Sequence, residues 1–178
     1  MYEHISDSYS LDQVSWWEHK IWGWNIPPKI VYFLWLCLKN KISTGDNLNR
    51  RGWIGPFWCA LRKHDGENIQ HLFIDCKFTQ DVWLDVLLHC NLHQRWDSST
   101  LEINMERWSV GCPIFSELPA FICWEVWKAR NWVIFYGIFP IVSYISFKAL
   151  TFFKEYKKAP KNRLSKTITA PTLLDGYT

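Results

Sequence analysis

The sequence predicts a mostly α-helical protein: a small helical domain built around a Cys/His knuckle loop, followed by a C-terminal helical pair. Three observations carry this. Apolar residues recur at helical spacing in several segments. Pro, Thr and Gly stand where helix starts and stops are expected. Two cysteines and a histidine cluster between two of the predicted helices, in residues 57–76, FWCALRKHDGENIQHLFIDC.

The elements follow in order. Residues 1–15 form a polar leader, and Pro27–Pro28 is a helix start signal. Ile30, Phe33, Leu34, Cys37 and Leu38 share one face, which predicts an amphipathic helix over 28–40. Thr44 is placed to cap a short helix over 44–51, and Gly52 suits its stop. Thr79 is placed to cap a third helix over 79–90, with Val82, Trp83, Val86, Leu87 and Cys90 on one side. Residues 91–117 are turn-rich and read as a loop or linker between a domain at 16–90 and a C-terminal helical region at 118–158. There a fourth helix covers about 118–135, with Ile122, Val126, Ala129 and Val133 aligned. A fifth opens after Pro140, with Ile141, Ile145, Ala149 and Phe152 on a face, and 159–178 is a polar tail.

Composition bounds the function. The chain has 178 residues, 48% of them hydrophobic, enough to bury a real core. Aromatics make up 17%, including 13 Trp; their position within apolar helical patterns assigns most of them to the core rather than to base stacking. A net charge of +3 is mildly basic. The late cluster Lys154, Lys157, Lys158, Lys161, Arg163 and Lys166 reads as a solvated tail. The start, MYEHISDSYS, lacks a basic, apolar secretory pattern, so the expectation is an intracellular, non-secreted protein with reduced cysteines. The uncharged run 131–147 is near the minimum length for a membrane span, but Gly137 and Pro140 interrupt it. A small membrane-associated protein using residues 131–150 is therefore the alternative reading; two buried helices joined by a turn is the preferred one.

The chemistry lies in the spacing C-x2-R-x8-H-x4-C. A cysteine at 62 would complete a Cys3His zinc pattern, with a knuckle at one end and an H-x4-C closure at the other. Cys59, His71 and Cys76 are present; Arg62 has no lone pair to donate. It would also set a positive charge beside the ion. His64 is the candidate for a fourth ligand, so bound zinc is expected to be weak or absent.

Four segments resemble a known family: IWGWNIPPKIVYFLWLCLKNKISTGDNLNRRGW, CALRKHDGENIQHLFIDC, FTQDVW and WEVWKARNWVIF. Their order resembles the zinc-binding domain found downstream of the polymerase in plant LINE-type (non-LTR) retroelement reverse transcriptases. The marks are Trp22, Pro27–Pro28–Lys29, Phe33, Trp35, Thr44, Asp46–Asn47–Leu48, Arg51–Gly52, Cys59, Glu67, His71–Leu72–Phe73, Cys76 and Trp83. WKARN at 127–131 resembles the helix between this domain and a ribonuclease H domain. The resemblance implies Cys59, His71 and Cys76 as metal ligands, with the family's remaining cysteine replaced by Arg62. In such a module Arg50, Arg51, Arg62 and Lys63 would meet the phosphates of RNA or DNA; the alternative is that they solvate the surface. The implied protein is an accessory nucleic-acid-binding module or a degenerate retroelement fragment. Neither a paired-aspartate polymerase motif nor an acidic set for a two-metal ribonuclease is present, so the chain is not expected to be an enzyme.

Overall fold

A computed structural model describes residues 15–159. The leader up to residue 14, and Lys161, Arg163 and Lys166 of the basic cluster, lie outside the described residues. Among the described residues the structure is helical, with no strand and one isolated antiparallel bridge between Trp58 and Gly66. Seven α-helices are formed: α1 (Trp16–Lys20), α2 (Pro28–Leu38), α3 (Gly45–Arg50), α4 (Lys77–Cys90), α5 (Leu101–Gly111), α6 (Leu118–Tyr136) and α7 (Val142–Lys158).

Pro28 opens α2 as its first residue, where the missing N–H costs nothing, and Ile30, Phe33, Leu34 and Cys37 are buried. The long α6 packs against α2 on one side and α7 on another, and α7 packs in turn on α4. Phe33 of α2 meets Phe73, Trp124 and Trp127 at ring distances of 6.2, 5.2 and 6.1 Å. Gly137 ends α6 in the left-handed region at φ 66°, a conformation that costs glycine nothing. Residues 137–141 then turn the chain into α7. The uncharged run near 131–147 is thus the end of one helix, a turn and the start of another. Among the described residues no helix is long and apolar enough to cross a membrane. Ile141, expected on the buried face of α7, precedes the helix and is exposed; Ile145, Ala149 and Phe153 form that face.

The stretch 91–117 departs from the expected loop. It contains α5, capped by Thr100, whose Oγ1 accepts from the Ile103 N–H at 3.3 Å. Leu101, Met105 and Trp108 are its buried face. The turn residues before it are used in a polar cap: Asn104 Nδ2 donates to the carbonyls of Asp97, Ser99 and Thr100 at 3.0, 2.9 and 3.2 Å. Trp96 stacks on Trp83 of α4 at 3.8 Å, with Trp108 at 5.3 Å from Trp83, so this segment belongs to the common core. Thr79 is likewise not a cap. It lies inside α4, which starts at Lys77 after Cys76, and its hydroxyl donates to the Leu72 carbonyl at 2.7 Å.

One buried ion pair joins the N-terminal elements to α6. Glu67 and Arg130 are 2% and 5% exposed. Arg130 Nε donates to both Glu67 oxygens at 3.1 Å, and Nη2 to Oε1 at 2.5 Å and to the Ser43 carbonyl at 3.1 Å. Nη1 donates to Asn131 Oδ1 at 3.0 Å. Glu67 also starts α3: its Oε1 accepts from the Gly45 N–H at 3.1 Å and its carbonyl from the Asp46 N–H at 3.0 Å. The Thr44 hydroxyl, expected to do this, donates to Asp46 Oδ1 instead. Glycine at 45 allows a close approach: a Cβ there would stand 3.1 Å from the Phe57 carbonyl oxygen, a tight contact.

Removing one partner of a buried, hydrogen-bonded pair leaves an uncompensated charge. Arg130→Ala is therefore expected to lower stability by about 3–5 kcal/mol in urea unfolding. Asp46→Asn, which breaks the exposed Arg50–Asp46 pair, should cost below about 1 kcal/mol. Equal, small effects of the two would contradict this assignment.

Candidate metal centre

Cys59 begins a tight turn. Its carbonyl accepts from the N–H groups of Arg62 and Lys63 at 3.3 and 2.6 Å, and its own N–H donates to the Asp65 carbonyl at 2.9 Å. Lys63 and Asp65 hold left-handed backbone, φ 53° and 51°, which returns the chain sharply to the Trp58–Gly66 bridge. The other half comes from a single π turn, His71–Asp75, closed by the Cys76 N–H donating to the His71 carbonyl at 2.7 Å. In an α-helix, residues five apart would point about 140° away from each other. The wider turn brings His71 and Cys76 to one side, and such turns are frequent at functional sites.

The ligand atoms of Cys59, His71 and Cys76 all lie within 4.8 Å of one another, and all three residues are buried. The two sulfurs are 3.8 Å apart. Two sulfurs bound at about 2.3 Å to a tetrahedral ion stand about 3.8 Å apart, so the spacing is that of a tetrahedral edge. His71 Nε2 is buried with no hydrogen-bond partner. A buried imidazole nitrogen with nothing to bond is costly unless a ligand takes its lone pair. These residues therefore fit a zinc ion at three corners of a tetrahedron.

The electrostatics favour one thiolate. Cys76 is lowered to about 6, chiefly by a hydrogen bond from the Cys59 thiol, with help from the Thr79 and Phe78 N–H groups at the start of α4 and from His71. Cys59 is raised in turn, because it keeps the shared proton and is buried; the N–H groups of Leu61 and Arg62 oppose this. Backbone donors thus converge on both sulfurs, an arrangement that stabilises thiolate ligands once both are deprotonated.

The remaining sequence candidates lie elsewhere. Arg62 is half exposed and extends to Asp81 of α4, Nη2 to Oδ2 3.5 Å. The cation expected beside the ion is carried outward, because Asp81 draws the guanidinium along the outer surface. His64 is exposed and is not part of the cluster. Arg50 pairs with Asp46, Arg51 Nη2 donates to the Lys41 carbonyl at 3.0 Å, and Lys63 lies over the Phe139 ring at 5.3 Å. All three are exposed, Arg50 and Arg51 at the end of α3 and Lys63 in the knuckle turn. Glu67 and Arg130, which fix the loop, were not among the expected site residues, although both stand in the quoted segments. Their separation of 63 positions hides the pairing from any local pattern.

Residues 1–83 match the family model described as zinc-binding in reverse transcriptase. The match covers the knuckle, both cysteines and His71, so this portion is similar to a reverse-transcriptase zinc-binding domain. No curated protein and no solved structure matches the chain.

Excess Co2+ added to the metal-free chain should give near-ultraviolet thiolate-to-metal absorption, and Cys59→Ser and Cys76→Ser should each remove about half of it. The band should fade on acidification, because protons compete for the same lone pairs. A Co2+ spectrum unchanged by Cys76→Ser would remove that residue from the ligand set.

Proposed function

We propose that the chain is a non-catalytic, intracellular accessory module derived from a plant LINE-type retroelement reverse transcriptase. In this reading Arg62 replaces a ligand cysteine, and the exposed Arg50, Arg51 and Lys63 meet the phosphates of RNA or DNA. The observation that carries it is the Cys59/His71/Cys76 cluster at tetrahedral spacing, inside the segment that matches the reverse-transcriptase zinc-binding family.

Cys59, His71 and Cys76 would hold the ion, and zinc there would supply structural cross-linking of the loop rather than a reactive water. The chain's own residues support that role. The three ligands are sealed from solvent, and no acid or base joins their cluster. Arg62 follows Cys59 by three positions, where the second thiolate of a knuckle belongs. Its N–H already faces the Cys59 sulfur and carbonyl. A cysteine side chain at 62 would be short enough to stay with the turn instead of leaving for Asp81. The basic residues supply affinity without sequence discrimination, because phosphates are alike along a strand.

A zinc competition titration tests the reading. The wild-type chain should bind weakly, Arg62→Cys at least tenfold more tightly, and His64→Ala like the wild type. Stoichiometric, tight zinc in the wild type that is unaffected by His64→Ala would overturn the role given to Arg62.

A further inference from the structure

Of the 13 tryptophans, two are exposed: Trp53 at 46% and Trp58 at 56%. The other eleven are buried or half-buried. Both exposed rings line the same cavity, of about 490 Å³, between the knuckle loop, the start of α3 and the end of α6. That volume lies in the range of ligand sites, which runs from about 300 to about 1,000 Å³. Leaving these two indoles in water forfeits burial that the other eleven tryptophans obtain in full or in part. Trp53 is held edge-on to Phe57 at 6.2 Å and 78°, so its ring is positioned rather than loose.

The rest of the cavity narrows the ligand. Its floor holds Glu67 and Arg130, whose polar atoms are taken up by each other, Gly45, Ser43 and Asn131. The two buried charges are thus satisfied within the fold, and the cavity presents a mostly apolar lining. Its walls are aromatic and aliphatic, Phe135 among them. Exposed Lys63 is among the lining residues, and Arg50 and Arg51 follow Leu48 of the same lining at the end of α3. Neither Asp46 nor Asp65 lines the cavity, and Asp46 is paired with Arg50. A flat ring flanked by an anionic group satisfies both parts: indole faces for the ring, cations for the anion.

We propose that this cavity takes one unstacked base of a single-stranded nucleic acid, its ring against Trp58 and its phosphate against Lys63. The proposal rests on the nucleic-acid reading above and adds to it a preference for unpaired strands. A duplex keeps its bases stacked inward, so it can reach the basic residues but not the indoles.

The test is fluorescence anisotropy of the full chain with three probes: a single strand of about 12 nucleotides, the matched duplex, and the same strand made abasic. Circular dichroism checks that each variant folds. Trp58→Ala should weaken single-strand binding by about 5- to 150-fold and leave the duplex and abasic strands unchanged. Trp58→Phe should restore most of the loss. Lys63→Ala should weaken all three alike. Equal binding of the single strand by wild type and Trp58→Ala would overturn the base pocket while leaving the nucleic-acid reading intact. Failure of the wild type to bind any of the three would overturn both. If an apolar peptide binds the cavity and the single strand does not, the occupant is a protein segment, and the proposal fails.

Discussion

The Glu67–Arg130 pair is the constraint on which the candidate site depends. It buries two opposite charges, a desolvation cost that is offset only where geometry and further hydrogen bonds are good. Here the guanidinium is bidentate to the carboxylate and also reaches a backbone carbonyl, and the carboxylate caps α3. Trp127 covers the guanidinium at 4.8 Å. Three segments distant in sequence meet at this pair: the knuckle loop, the start of α3 and the middle of α6. The loop carrying Cys59 is therefore tied at Glu67 to the helical core, independently of any ion. A chain built this way can hold Cys59, His71 and Cys76 together with an arginine at 62.

Helices were legible where a buried face repeats and where the capping residue has no competing use. Ile30 to Leu38, Val82 to Val86 and Ile122 to Ala129 announced themselves this way. Thr79 misled because its hydroxyl serves the preceding π turn, while Cys76 occupies the cap position. Residues 91–117 misled in the opposite sense. Asn, Asp and Ser suggested loop, yet Leu101, Met105 and Trp108 recur at helical spacing behind Thr100, and the turn residues satisfy the cap. The convergence of Cys59, His71 and Cys76 was legible from their spacing. What spacing could not give was the π turn that aligns His71 with Cys76, or Asp81 drawing Arg62 aside. Both depend on partners outside the local pattern.

The aromatic content separates into two populations by location. Trp83, Trp96 and Trp108 stack together where α4, α5 and the preceding loop converge, and Trp124 and Trp127 pack on Phe33. These bury area and set helix positions. Trp53 and Trp58 sit on the knuckle side instead, with the cations and the Glu67–Arg130 floor. Composition alone cannot make this division, because both populations contribute equally to a Trp count. Position relative to a turn-rich loop is the clue that would have found them.

Packing and the Glu67–Arg130 pair hold the knuckle, and an ion would add to a loop already formed. Native-state hydrogen exchange of the metal-free wild-type chain tests this directly. The amides of Cys59, Lys63 and Glu67, which donate to Asp65, Cys59 and Phe57 carbonyls, should be protected without zinc and gain little when it is added. Exchange of these amides at unprotected rates until zinc is supplied would contradict the account and make the metal the organiser of the loop.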